Sequence, residues 1–230
     1  MNTDAFYRPT SIDSSSITDF LYKVYSWMAV GLGITGAVAW FTAQAPQMLE
    51  LLVQNRVIFF GLLIAQLGLV AACSAVAHRA STATAAAMFV AYSALTGLTF
   101  STLFLIYTSA SIAQTFFITG GSFAGLSAFG LVTKKDLSGV GRFMLFGLIG
   151  VIIASIVNIF MNSPAIYWIT TYAGVLIFAG LTAYDTQKLK ALYTAAGEGG
   201  NLALRGALTL YLDFVNLFLF MLRLLGNRRS

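Results

Sequence analysis

The chain has 230 residues, 58% of them hydrophobic and 9% charged, with a mean hydropathy of +0.83 and a formal net charge of +5. A soluble domain carries roughly 25% charged residues, so an ordinary soluble fold is excluded, and the small basic excess speaks of membrane topology and anionic lipid rather than nucleic acid. The single cysteine, Cys73, excludes an internal disulfide and a cysteine-built zinc site; its apolar run makes it a small packing residue.

In chain order, residues 1–19 are polar and acidic and lack the basic and short apolar regions of a signal peptide. They read as a mobile tail, with Ser16 or Thr18 capping the first helix. Seven stretches then meet the requirement of about 20 apolar residues per crossing: 24–44, 57–77, 83–107, 111–132, 143–161, 165–187 and 206–225. The connections are short, so 20–230 is expected to be one all-α integral membrane domain. "NSP" at 162–164 is a turn between the fifth and sixth spans.

Basic residues orient the spans. With the N-terminus inside, the inner segments hold Arg8, Lys23, Arg79, Lys134, Lys135, Arg142, Lys188, Lys190 and Arg205; the outer ones hold Arg56, Arg223, Arg228 and Arg229. Nine against four favours a cytoplasmic N-terminus. The C-terminal arginine cluster is the exception: it breaks the rule, or one stretch is re-entrant.

Of eight acids, Asp4, Asp13 and Asp19 lie in the tail, and Glu50, Asp136 and Glu198 are expected in loops. The remaining two are Asp185, at the inner end of the sixth span, and Asp213, in the inner half of the seventh. A carboxylate at that depth costs several kcal/mol unless paired, solvated or protonated. Short linkage makes the two spans neighbours, so the acids can face each other. The plain alternative is a buried acid satisfied locally; Lys188, one turn from Asp185, is placed for that. Two touching carboxyls share a proton and titrate in two steps; fully ionised, they form a hard oxygen site suited to transient Ca²⁺. Asn216, on the same helical face as Asp213, is a candidate for the ion path.

"AYDTQ" at 183–187 and "LYLDFVNLFLFMLRLLG" at 210–226 resemble the transmembrane Bax-inhibitor-motif family (Bax inhibitor-1), in particular its bacterial branch. So do "FLYKVYSWMAVGLGITG" at 20–36, "YSALTGLTFS" at 92–101, "GGSFAGLSAFG" at 120–130 and "TKKDLSG" at 133–139. The resemblance implies seven transmembrane helices, six arranged around a central C-terminal helix. It also implies a pH-sensitive Ca²⁺ leak across the inner membrane, with Asp185 and Asp213 as pH sensor and gate and Arg79 as the basic partner of the pair in one state. Bacterial members are associated with a membrane-bound protease. The animal members' restraint of cell death belongs to animal partners and is not carried over.

Other motifs are decoys. "GLGITG" at 31–36 fits a dinucleotide-loop pattern but lacks the strand and soluble unit such a loop needs; close helix packing is expected there. Gly121 and Gly125 are spaced for tight packing, or with Ser122 and Ser127 for lining a narrow path. His78 is expected at the membrane edge, and Trp27, Trp40, Tyr167 and Trp168 in an aromatic belt.

The expected function is therefore a pH-gated cation leak. The partners are membrane lipid and Ca²⁺ as permeant ion; no cofactor, enzymatic activity or nucleic acid is expected. The alternatives are a non-transporting regulator that docks on a membrane-bound protease through its tail, and an intramembrane aspartyl protease. For the last, "AYD" is half a site, but the partner motif G-x-G-D is missing at Asp213.

Overall fold

The computed structural model describes residues 14–76, 80–197 and 201–229. Among them the chain forms α1 (Ser14–Ala43), α2 (Pro46–Gln54), α3 (Arg56–Val76), α4 (Thr82–Phe100), α5 (Leu103–Ile106), α6 (Ser109–Val132), α7 (Ser138–Met161), α8 (Pro164–Ala196) and α9 (Leu202–Leu225). Seven segments are long and apolar enough to cross a membrane, with α4 and α5 together making the third. The protein is a multi-pass helical membrane protein, as its hydropathy requires. His78 and Arg79 lie outside the described residues.

Helix ends follow local chemistry. The hydroxyls of Ser81, Thr108 and Ser163 accept from the backbone N–H of Thr84, Ser111 and Ile166, opening α4, α6 and α8. Pro164 occupies the first turn of α8, where its missing N–H costs nothing. Asn162 closes α7 in the left-handed region at φ 49°, and Asn158 Oδ1 accepts from Ser163 N at 2.8 Å. The expected turn at 162–164 is thus a cap on both helices. At the other end, α1 already begins at Ser14, so Ser16 and Thr18 lie inside its opening turns rather than capping it, and the polar segment is helical from there on.

Two features depart from a plain reading of seven rods. Glu50 is not in a loop: it lies on α2, a short amphipathic helix that buries Leu49 and Leu52 and pairs Glu50 with Gln54 one turn on. Between α4 and α5 the ladder breaks, because the hydroxyls of Ser101 and Thr102 donate to the carbonyls of Leu98 and Thr99 and so compete with the helix's own bonds.

The last helix is the centre. α9 packs against α1, α4, α6 and α8, and Leu210, Tyr211, Leu217 and Leu222 are wholly enclosed. α3 packs on α4, and α7 on α8; Ile64, Leu67, Phe146 and Phe160 face outward from them, as lipid-facing positions should. Cys73 is half-buried against the main apolar core. Of the "GLGITG" glycines only Gly31 is tightly packed, on Phe89 and Ser93; Gly33 and Gly36 meet nothing.

Candidate functional site

α8 and α9 run antiparallel and meet along their length. Asp185 lies eleven residues before the end of α8 and Asp213 eleven residues after the start of α9. At 1.5 Å per residue both sit about 16 Å from the same end of the bundle. The register sets the two carboxyls side by side at one level of the bundle. Asp213 is 5% exposed, Asp185 half-buried, and Asp213 Oδ2 has no hydrogen-bond partner among the described residues.

The surroundings fix Asp185 from the next turn. The Thr186 hydroxyl bonds to the Thr182 carbonyl at 2.7 Å and meets Ser127 Oγ of α6 at 3.3 Å. α6 comes this close because residue 130 is glycine: a Cβ there would strike the Ala183 backbone. Gln187 then ties down the α6–α7 loop, its Oε1 accepting from Leu137 N and its Nε2 donating to Lys135 O, both at 2.9 Å. Lys190 donates to Leu131 O at 3.0 Å. In that loop Asp136 accepts from Ser138, whose hydroxyl and backbone N–H hold the exposed carboxyl below the usual carboxylate range. Lys188 lies over the Tyr184 ring, 5.6 Å from its centre, and also acts on Asp185 through its charge. Asp185 thus has both Lys188 and Asp213 beside it.

Two residues before Asp213 on α9, at Tyr211, a hydroxyl cluster joins three helices. Thr35 donates to the Ser93 carbonyl at 2.9 Å. Its single hydrogen is thereby used, so Tyr211, 2.6 Å away, donates to Thr35. Sequence reasoning missed this cluster and the Gln187 clamp. Their polar residues look ordinary until three helices are brought together.

Asn216 does not join the carboxyls. Its Nδ2 donates to the Leu212 carbonyl at 2.8 Å, and the residue lines an open groove between α7, α8 and α9. That groove stops short of the pair, and neither aspartate lines it. Gly121, Ser122 and Gly125 are exposed, and a Cβ at either glycine would meet nothing; of that set only Ser127 points inward. They therefore form neither the expected tight packing nor a path. As a metal site the pair is incomplete: two carboxylates supply fewer oxygens than the about six to eight that Ca²⁺ takes, and among the described residues no group of three potential ligands includes them. Such a pair fits an ion in passage better than a resident one.

Residues 17–230 match the family described as "Inhibitor of apoptosis-promoting Bax1". Inner membrane protein YbhL of Escherichia coli K12 is 48% identical over 233 residues, covering 98% of this chain and 100% of the relative. An uncharacterized protein of Deinococcus radiodurans is 46% identical over 217 residues, covering 93% and 92%. A membrane protein of Streptococcus pyogenes is 34% identical over 99% of both chains.

Proposed function

The chain belongs to this Bax inhibitor-1-like family of membrane proteins, and on that footing we propose that it is a passive, pH-gated path for cations, Ca²⁺ foremost, in a bacterial inner membrane. What supports the reading is the placement of Asp185 and Asp213 side by side on facing helices, where they could share a proton. While one proton is shared, the bond draws α8 and α9 together and the path is shut. When the proton leaves, two negative charges face each other; at about 4 Å and a protein-like dielectric they repel by about 4 kcal/mol. The helices part at that end, water enters, and the doubly charged site attracts a cation. Asn216 lines a groove that neither aspartate reaches and lies outside this path. The N-terminus faces the cytoplasm, by the excess of basic residues on that side. The family resemblance makes Arg79, which follows α3 in the sequence, the basic partner that would compete for the free carboxylate.

The test is Ca²⁺ influx into dye-loaded liposomes, recorded from mildly acidic to mildly alkaline pH. Asp213→Asn and Asp185→Asn are expected to shift or abolish the pH dependence. If both conduct with the wild-type profile, the gate is elsewhere. If folded, inserted protein conducts at no pH, the channel reading fails and a regulator of a membrane-bound protease becomes the proposal to pursue.

A further inference from the structure

The arginines that break the positive-inside pattern are not scattered. Arg223 and Arg228 converge on one ring, that of Tyr167, at 6.0 and 5.9 Å from its centre. Arg223 also stacks on Phe220 at 5.3 Å, and Arg228 donates to the Tyr167 hydroxyl at 3.0 Å. The tail is held in this position by its backbone. Asn227 N donates to Ser111 Oγ at 2.8 Å, Thr108 N to Asn227 O, and Arg229 N to Ile106 O at 2.9 Å. The guanidinium groups are thus pre-positioned, yet both residues remain exposed, with donors left for an oxyanion.

They stand where two openings join. One, of about 520 Å³, is a polar cleft beside Ser163 and Trp168. The other, of about 680 Å³, is the groove between α7, α8 and α9. Asn158, Tyr167, Arg223 and Arg228 line both. Away from them the groove is lined mostly by apolar side chains, with Ser155, Thr170 and Asn216 the polar ones. It follows α7 from Asn158 to Leu148 and α8 from Tyr167 to Phe178, a run of ten or eleven residues, or about 15 Å. That is half the roughly 30 Å hydrocarbon thickness, the depth of one leaflet. Tyr167 and Trp168 mark the headgroup level. Among the described residues no acidic side chain lines either opening, so none of them would pair with the ammonium of a zwitterionic lipid.

We infer that this groove is a binding site for one anionic phospholipid, with its phosphate between Arg223 and Arg228 and an acyl chain laid along α7 towards Phe178. The arginine cluster then serves as a lipid ligand rather than a topology signal.

The test uses the full chain in detergent, with Trp27→Phe and Trp40→Phe so that Trp168 alone reports. Phosphatidylglycerol with brominated chains is titrated against brominated phosphatidylcholine, and quenching is followed. Half-saturation by the anionic lipid is expected at a concentration at least about tenfold lower. Arg223→Gln with Arg228→Gln should erase that preference. Ser155→Phe, which fills the groove wall and spares both arginines, should weaken binding of both lipids. Arg56→Gln, on the same face but outside the groove, should change nothing. Equal affinity for the two lipids would overturn the proposal, as would an unchanged titration in Ser155→Phe. So would displacement of the lipid by inorganic phosphate alone, which would mean a plain anion site without a chain.

Discussion

At the scale of single residues, position in the bundle decides what a side chain does. Gly121, Gly125 and Gly130 share one helix, but only Gly130 is pressed against a neighbouring backbone. Gly130→Ala is expected to cost about 1–3 kcal/mol, because helix α6 would have to back away from α8. Gly121→Ala meets open space and should be neutral, or stabilising by up to about 1 kcal/mol from helix propensity. Thermal unfolding in detergent compares the two. Equal effects would mean that α6 does not contact α8 through Gly130. The acid side of the stability curve belongs here too. Asp136, held below its usual range by Ser138, contributes at pH values above its unfolded titration and loses that contribution as pH falls through the lowered one.

At the scale of elements, polar bonds hold helices that the hydrophobic effect does not. Between apolar helices in lipid there is no gain from leaving water, so packing and hydrogen bonds do the joining. α3 meets chiefly α4 and α2, and Gln66 Nε2 donates to Thr99 Oγ1 of α4 at 2.6 Å across that contact. A double-mutant cycle of Gln66→Leu with Thr99→Val should give a coupling of about 0.6 kcal/mol, the usual size for such a bond. Additive single effects would place the docking of α3 elsewhere. The point bears on the gate, since α3 leads directly to Arg79.

For the whole molecule, the chain end acts as a strap. α9 runs through the middle of the bundle, and the residues beyond it fold back onto the α5–α6 corner, where Tyr107 and Arg228 form an isolated β-bridge. Removing residues 227–230 deletes three backbone-involving bonds, each worth about 1 kcal/mol net. The truncated chain is expected to melt earlier and to lose its preference for anionic lipid. Its pH-dependent flux should persist, because Asp213 lies twelve residues, about 18 Å, from the C-terminal end of α9. Loss of flux together with stability would instead tie the strap to the gate.

Hydropathy and spacing alone were enough for much of this. Seven crossings, a lone intramembrane acid pair and a cap at "NSP" follow from local composition, because lipid forces every spanning segment to be a long apolar helix and makes each buried charge conspicuous. The role of α9 as the centre came from the family resemblance and not from composition, and the split fates of the "GGSFAGLSAFG" glycines were not legible. In a chain apolar on every face, periodicity does not say which side of a helix meets protein and which meets lipid. The packing of α9 among α1, α4, α6 and α8 decided that. It also turned Arg223 and Arg228 from an exception in a charge count into the two walls of a groove.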